Sequence, residues 1–462
     1  MMKKVTKLSL AAILTLSATN TFAAGFQLAE ISTSGLGTSF AGTAAIAENA
    51  SVVATNPALM TEFSRAQLSA GGIYIAAKVN INGELANDTD ASNKNIVPNA
   101  IVPNFYFVAP VNDRFSVGGG MNVNYGLKTE FSKNYAAGWL GGMTSLSSGN
   151  FNFSGAMKLG HGFSFGLGLN AVYAEAELDR YAGVIPKALS GKLKQAQQQL
   201  QQSPKEEDKQ KAQLLGKVAG IAANTPATTK IKHLEGNTWG YGWNAGLSYN
   251  LNENHRFGLA YHSAVKLDFK GDFSNELPTA LNNVPLPQIA GLKPATNGKN
   301  KAAKLSVTLP AFWELSAYHQ LTEQLALQYS WKHTQWSVFK ELLAKGSKGE
   351  ELLYKDEKFS DSNRYAIGLT YKAMDNLTLR TGVAYEQSAS RTMPSIAIPD
   401  TNRTWYSVGA TYQVTPNLTT DFGYAYVYGH KNNFTEGTTA GGLDVKSRAH
   451  VNLVGLNLNY KF

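Results

Sequence analysis

A serine flanked by glycines is the part of this 462-residue sequence that most resembles a catalytic motif. The stretch Gly162-Phe163-Ser164-Phe165-Gly166 matches the G-x-S-x-G elbow, in which a sharp strand-to-helix turn exposes a nucleophilic serine. Here the motif lies within an alternating pattern that predicts an uninterrupted strand. A lipase would need a turn at this point, so the context argues against ester hydrolysis.

The other motif-like stretches also lack the context that their chemistry requires. Gly166-Leu167-Gly168 and Gly118-Gly119-Gly120 do not open a helix, as a dinucleotide-binding loop must. The eight histidines include no H-E-x-x-H pair, and the chain has no cysteine to supply a thiolate. The sequence therefore predicts no catalytic residue, no metal ion and no cofactor.

Strands, and not helices, must position any functional side chains, because most of the chain after residue 65 alternates with period two. Aromatic and aliphatic residues occupy one face of each segment, and Gly, Ser, Asn or charged residues occupy the other. The segments exceed the five or six residues of an average soluble strand and reach the roughly 9–11 needed to cross a bilayer. The clearest examples are 163–173, 239–249, 418–428 and 454–462.

The connections between these segments alternate between short and long. Six short turns contain turn-forming residues, and seven longer polar stretches lie between them, which together predict 14 strands. The two longest loops are about 181–235 and 271–303, and the first contains two amphipathic helical patterns separated near Pro204. An even strand count with these connections predicts an all-β fold, a 14-stranded antiparallel transmembrane β-barrel. The short turns are predicted at residues 112–113, 160–161, 252–254, 322–323, 374–376 and 416–417.

The N-terminus predicts export. Three lysines precede a short apolar run, and small residues follow it, so we interpret residues 1–23 as a signal peptide. We expect an N-terminal plug over 24–64 and a barrel over 65–462. Removal of the three signal-peptide lysines lowers the formal net charge from +9 to about +6, a modest excess that suits an anionic membrane surface or ligand, and an exported chain is not expected to bind nucleic acid.

The predicted plug differs from all that follows it, because Gly25 to Ser64 sustains neither a helical nor a strand period. A 14-stranded barrel would leak unless something filled it, and this segment can supply the filling. Within it, Pro57 fixes its own φ and pushes Asn56 away from helical geometry, so Asn56-Pro57-Ala58 favours a defined turn. This turn could equally be an ordinary connection between the plug and the first strand.

Two features of the strands bear on closure and on an opening in the wall. The last strand is expected to pair with the first near residues 68–79, because lipid offers no hydrogen bonds to a free edge. Gly118, Gly119 and Gly120 lie in the third strand, where a ladder is weakest. They predict either a kink or simply glycines that face the lumen.

Several short stretches, spread collinearly over the mature chain, resemble the FadL family of outer-membrane long-chain fatty acid transporters. The resemblance implies an N-terminal hatch with Asn56-Pro57-Ala58 as its gate and Phe26 beside it, an external ligand groove, a deeper pocket and an inward kink in the third strand. Tyr460 and Phe462 resemble the signal read by the barrel assembly machinery. The stretches are 24–28, 34–37, 56–58, 124–127, 164–168, 170–174, 243–246 and 398–400.

The same resemblance implies two contacts for a ligand carboxylate. Arg180 occupies the place of the family's carboxylate-binding arginine, whose fork can hold a carboxylate with two bonds. The alternative is an ion pair between Arg180 and Glu175, Glu177 or Asp179. The family's lysine has no counterpart, because the run 336–339 aligns Leu343 with it, so we take the nearby Lys345, beside Lys340, as the candidate.

The function implied is passive uptake of long-chain fatty acids, released sideways into the membrane after a local hatch rearrangement. Burial gains about 0.8 kcal/mol per CH₂, so release of about 16 carbons into water costs on the order of 10 kcal/mol. Expected partners are outer-membrane lipid, lipopolysaccharide and the barrel assembly machinery, with the protein a monomer. The alternatives are transport of neutral hydrophobics such as aromatic hydrocarbons, and a general porin.

Overall fold

Residues 25–86, 88–284, 291–437 and 442–462 are described by the computed structural model. They form a closed 14-stranded antiparallel β-barrel with the N-terminal segment inside its lumen, which confirms the predicted fold class. The predicted signal peptide, 1–23, lies outside the described residues.

Each strand pairs with its neighbours in sequence, and β1 pairs with β14 from Gln67↔Lys461 to Leu85↔Leu443, which closes the barrel. Five strands are interrupted and consist of two segments. The strands are β1 Gln67–Leu85, β2 Ala100–Pro110, β3 Phe115–Asn122 with Gly126–Glu130, β4 Met143–Gly160, β5 Phe163–Tyr181, β6 Lys230–Asn252, β7 His255–His262 with Val265–Ser274, β8 Lys301–Leu309 with Phe312–Gln320, β9 Leu325–Thr334 with Glu341–Gly346, β10 Glu351–Asp356 with Ser362–Met374, β11 Leu377–Glu386, β12 Arg403–Thr415, β13 Leu418–Glu436 and β14 Leu443–Lys461.

The two faces of the wall follow the predicted alternation. On β5, Leu167 and Leu169 are exposed on the outside, whereas Ser164 and Gly166 are buried towards the lumen. Aromatic ring pairs mark both ends of the apolar band, with Phe163–Tyr249 at 4.3 Å near the short turns and Tyr173–Trp239 at 5.1 Å in the girdle nearer the long loops. The strands continue past this girdle, so the loops are shorter than predicted.

The six predicted turns are found, and the longest loop contains the two expected helices, α3 Ile185–Gln201 and α4 Glu206–Ala223. Their apolar faces pack on residues of the 275–300 loop, which includes a 3₁₀ turn at Thr279–Asn283, and form a small core that covers the barrel mouth. No helix in the described ranges is long and apolar enough to cross a membrane.

The plug contains two short helices, α1 Thr33–Gly37 and α2 Val52–Thr55, and a 3₁₀ helix, Pro57–Glu62. Its backbone lies directly against the wall at several glycines. A Cβ atom added to Gly246 would collide with the Asn56 side chain, and one added to Gly258 would collide with the Ala44 carbonyl. The wall glycines therefore make room for the plug.

The ladder is continuous at Gly118, Gly119 and Gly120, where either a kink or lumen-facing glycines were predicted. These glycines are paired with both β2 and β4, and the ladder breaks later, at residues 123–125. The plug replaces the missing pairing, since Leu28 N donates to Asn124 O at 2.8 Å. The glycines have a different use, because a Cβ on Gly118 would meet Met60 of the plug at 2.7 Å.

The chain ends on the outer surface near the short turns. The Phe462 side chain is exposed, and its backbone N–H donates to Ala66 O at 2.9 Å. The Tyr460 side chain is also exposed on this face. The role of these two residues in assembly stays a prediction.

Candidate ligand-binding site and gate

Arg180 is buried near the loop end of β5, seven residues beyond the girdle residue Tyr173, and it faces the lumen. Its guanidinium donates to Met143 O at 3.1 Å, Asp179 O at 2.8 Å and Thr144 Oγ1 at 3.1 Å. Burial lowers the pKa of Arg180 to about 10, which leaves it protonated at neutral pH. Three of its five N–H donors suffice for these bonds, so donors remain for a ligand.

The alternative ion pair for Arg180 is not formed. Asp179 binds elsewhere, with Lys230 Nζ at 2.9 Å from Oδ2 and His233 Nδ1 at 2.6 Å from Oδ1. Glu175 and Glu177 lie on the exposed outer face of β5. Across the described ranges, Arg180 has no carboxylate partner in an ion pair.

Glu177, Asp179 and His233 have ligand atoms within 4.8 Å of one another, a spacing that a metal ion could use. Both oxygens of Asp179 are engaged by Lys230 and His233, as described above. The hydrogen bond to Asp179 raises the pKa of His233, against the opposing effect of burial. The geometry therefore favours an ion-pair cluster on the outer surface.

An outer cavity of about 1080 Å³ opens below the α3–α4 cap, and Arg180 lies in its wall. Its apolar lining comes from α3 and the 131–142 loop, including Leu193 and Trp139. Lys192 and Lys232 add positive charge, and Lys232 lies directly opposite Arg180 across the β5–β6 ladder. Lys355 also lines the cavity, but its ammonium is paired with Glu436 at 3.2 Å.

The structure does not bring Lys345, predicted as the second cationic contact, next to Arg180. Lys345 is exposed, because it alternates with the buried Ala344, and it does not line the outer cavity that contains Arg180. Lys340 is exposed as well. Sequence reasoning missed Lys232, because the predicted loop 181–235 includes it. Lys232 lies on β6 instead, opposite Arg180 on the neighbouring strand.

An inner cavity of about 90 Å³ continues from the outer one, and its walls are almost wholly apolar. Leu178, Leu342 and Leu353 line both cavities, so the two meet at a common boundary just below Arg180. This arrangement places a cationic group beside an apolar channel. Other side chains of the inner wall are Leu146, Leu234, Phe269, Val307, Phe339 and Ile398.

Phe26 forms part of the wall of the inner cavity and is 2% exposed. Its ring lies 4.7 Å from the ring of Trp336 and 5.3 Å from that of Phe339, measured between centroids. Its carbonyl accepts from Gly126 N at 2.9 Å. The strip around Phe26, residues 25–31, therefore both closes the inner cavity and fills the break in β3.

Asn56-Pro57-Ala58 is a buried turn within the plug, between α2 and the 3₁₀ helix, and does not connect directly to β1. Asn56 Nδ2 donates to Ala44 O at 2.7 Å and to Leu247 O on the wall at 3.1 Å. Its Oδ1 accepts from Ala58 N at 3.1 Å and caps the 3₁₀ helix, with Pro57 at the first position. The tripeptide thus fixes plug to wall.

Other polar contacts hold the same half of the plug. Arg256 Nη2 lies 2.7 Å from Glu62 Oε2, and Arg380 Nη2 lies 3.1 Å from Glu48 Oε1. The serine of the G-x-S-x-G stretch is also used here, because Thr61 Oγ1 donates to Ser164 Oγ at 2.9 Å. The stretch serves plug docking in this fold.

Residues 14–462 match the family described as Outer membrane protein transport protein (OMPP1/FadL/TodX). The 47 kDa outer membrane protein of Pasteurella multocida is 50% identical over 459 residues, which is 99% of each chain. The Long-chain fatty acid transport protein of Escherichia coli O6:H1 is 44% identical over 459 residues, 99% of this chain and 98% of that one.

Solved structures share the fold. A Pseudomonas aeruginosa FadL homologue superposes with a TM-score of 0.78 at 21% identity, over 95% of this chain and 100% of that one. The Pseudomonas putida toluene transporter TodX gives 0.66 at 16% identity, with 95% and 100% covered. Barrel, plug and matches together locate the protein in the bacterial outer membrane. The chain belongs to the family of outer membrane protein transport proteins that includes FadL and TodX.

Proposed function

We propose that this protein takes up long-chain fatty acids passively and releases them sideways into the outer membrane. The observation that carries the proposal is the contiguous path from Arg180, through the apolar inner cavity, to Phe26 at the break in β3. A relative that is 44% identical is the Long-chain fatty acid transport protein of Escherichia coli O6:H1, which supports the proposal.

The entrance suits an amphiphile with one negative end. The outer cavity offers apolar surface to an acyl chain and cations to its carboxylate. Arg180 and Lys232 are neighbours across the ladder, so a carboxylate between them relieves their mutual repulsion. Charge-assisted hydrogen bonds of this kind are about twice as strong as neutral ones.

The exit follows from the position of Phe26 and from the cost of exposing hydrocarbon. An acyl chain in the inner cavity meets the Phe26 ring, and displacement of the strip around Phe26 frees the break in β3. Release into adjacent lipid retains most of the roughly 0.8 kcal/mol per CH₂ that release into water would lose. Rearrangement of this strip is sufficient, and Asn56-Pro57-Ala58 acts as its fixed support.

Maturation and surroundings complete the proposal. Cleavage after Ala23 removes the signal peptide, and Tyr460 and Phe462 direct the barrel assembly machinery. The mature protein is a monomer surrounded by outer-membrane lipid and lipopolysaccharide.

Two alternatives remain distinct. A carrier of neutral aromatic hydrocarbons would resemble the toluene transporter in fold, but Arg180 and Lys232 at the entrance favour an acid. A general porin needs an open lumen, whereas the plug lies within this one.

The test is equilibrium binding of radiolabelled hexadecanoic acid and 1-hexadecanol to the purified full chain. We expect Arg180→Met to weaken acid binding about tenfold and to leave alcohol binding unchanged, since a charge-assisted bond is lost. Arg114→Met, at an exposed turn, is the matched control. Equal weakening of both ligands, or of neither, would favour the carrier of neutral hydrophobics.

A further inference from the structure

A third cavity, which we call the plug chamber, lies between the plug and the wall. It is lined by Gln27, Asn124, Lys332 and Arg364, among others, and has a volume of about 40 Å³. A buried water needs roughly 10–15 Å³ of such volume, so the chamber has room for a carboxylate group or a few waters.

Hydrogen-bond donors without acceptors converge on this chamber. Gln27 Nε2 and Arg364 Nε are buried and have no hydrogen-bond partner, although both side chains line the chamber. The Lys332 ammonium lies 4.1 Å from the centroid of the Phe312 ring, and within the described ranges it forms no ion pair. Buried unpaired donors are costly, so such a convergence points to an acceptor ligand.

The carboxylates that also line the chamber are bound to other groups. Glu314 Oε1 accepts from Thr43 Oγ1 and from Ser316 Oγ, each at 2.7 Å. Glu386 Oε2 accepts from Trp405 Nε1 at 3.3 Å and lies 3.9 Å from Arg403 Nε. Both carboxylates balance the local charge, but their contacts orient them towards plug and wall.

The chamber lies at the end of the proposed path. Gln27 directly follows Phe26, which closes the inner cavity, so one backbone segment separates inner cavity and chamber. Asn124 lies in the break of β3 and binds Leu28 through its carbonyl. A ligand that moves from the inner cavity to the break at Asn124 therefore comes next to the chamber donors.

We propose that the plug chamber is a second carboxylate-binding site, at which Lys332, Arg364 and Gln27 receive the ligand headgroup during exit. The inference rests on the proposed fatty acid uptake and adds a specific chemistry to its last step. A carboxylate that leaves Arg180 would otherwise cross the apolar lumen without a partner, at a large cost in free energy. The chamber supplies that partner beside the opening.

The experiment measures uptake of hexadecanoic acid and of 1-hexadecanol by cells that produce the full chain as their sole outer-membrane uptake protein for these compounds. Lys332→Met keeps the apolar stem and removes the charge. We expect acid uptake to fall about tenfold, with alcohol uptake unchanged and acid binding to the purified protein within about twofold of wild type. Gln27→Leu should act in the same direction but more weakly.

Lys372→Met, at an exposed position on β10, is the matched control and should change neither rate. Equal slowing of acid and alcohol would assign Lys332 a structural role and overturn the inference. Unchanged uptake of both by Lys332→Met and Gln27→Leu would show that the chamber holds only water. Either result leaves the Arg180 binding test intact, whereas a wild-type chain that imports no acid would overturn both proposals.

Discussion

The two halves of the plug touch the same barrel wall through different chemistry. The later half, residues 43–62, is held by ion pairs, by the side chain of Asn56 and by close contact with wall glycines. The strip at residues 25–31 has no ion pair to the wall within the described residues and rests mainly on aromatic rings and on backbone bonds to the break in β3. Two side-chain hydrogen bonds add to these, from Thr334 Oγ1 to Gln27 Oε1 at 3.0 Å and from Tyr106 OH to Ile31 O at 2.9 Å. Polar contacts have fixed geometry, whereas an apolar ligand can replace apolar packing, so the strip is the half suited to move.

This contrast changes the role expected for Asn56-Pro57-Ala58. The resemblance assigned the gate to this tripeptide, but its side chain and backbone contacts make it the anchor of the later half. Phe26, also predicted at the gate, lies where ligand and opening meet. Disruption of the later half around Asn56 should therefore give a different result from disruption of the strip around Phe26.

The largest effect is expected for Gly246→Val, which places a side chain where Asn56 now lies. Overpacking and the lost Asn56 bonds together should destabilise plug docking by at least about 3 kcal/mol. We expect a marked rise in ion conductance in planar bilayers. Gly155→Val is the control, because a Cβ there has no atom within 4 Å, and equal conductance in both variants would contradict the anchor.

Phe26→Ala should weaken the strip and spare the anchored half. Loss of a buried phenyl ring costs about 3 kcal/mol, and this cost should appear as faster hydrogen exchange at the amides of Leu28 and Gly126. Conductance should stay low, because the later half still fills the lumen. Faster exchange at Leu59 to a similar extent would show that the two halves are one cooperative unit.

Asn56→Ala is the reciprocal change and should cost about 2 kcal/mol, since it removes two hydrogen bonds to backbone carbonyls and the acceptor of the Ala58 amide. Exchange should accelerate at Ala58 and Leu59, with Leu28 and Gly126 unaffected. Asn376→Ala, at an exposed turn, provides the control. Unchanged exchange at Ala58 would remove Asn56 from the anchor.

The smallest effect concerns the rim outside the membrane, where Asp179 raises the pKa of His233. A raised pKa in the folded state means stability that is fully present below the ordinary value of about 6.5 and lost as pH rises through the raised value. The rim should lose about 1 kcal/mol of stability or less over this pH window. We expect proteolysis of the 182–229 loop to become faster as a result. His233→Gln should remove the pH dependence, and a variant that retains it would contradict the assignment.

Strand number, turn positions and the two loop helices were predictable, because the period-two pattern and turn residues are local properties of the chain. The orientation of the Arg180 side chain towards the lumen was predictable for the same reason, since Arg180 shares parity with Ser164 and Gly166 on one long strand. Lys345 was chosen from the family resemblance, and the same parity argues against it, because Gln328 and Ala344 at even positions of β9 are buried whereas Lys345 at an odd position is exposed.

The sequence by itself determined the barrel, since a strand that faces lipid on one side and a lumen on the other must alternate wherever it lies. Only the tertiary structure decided where β3 breaks, which half of the plug is anchored and which donors meet in the plug chamber. Each of these depends on contacts between residues far apart in sequence, such as Leu28 with Asn124 and Asn56 with Leu247. Local periodicity carries no information about such pairs.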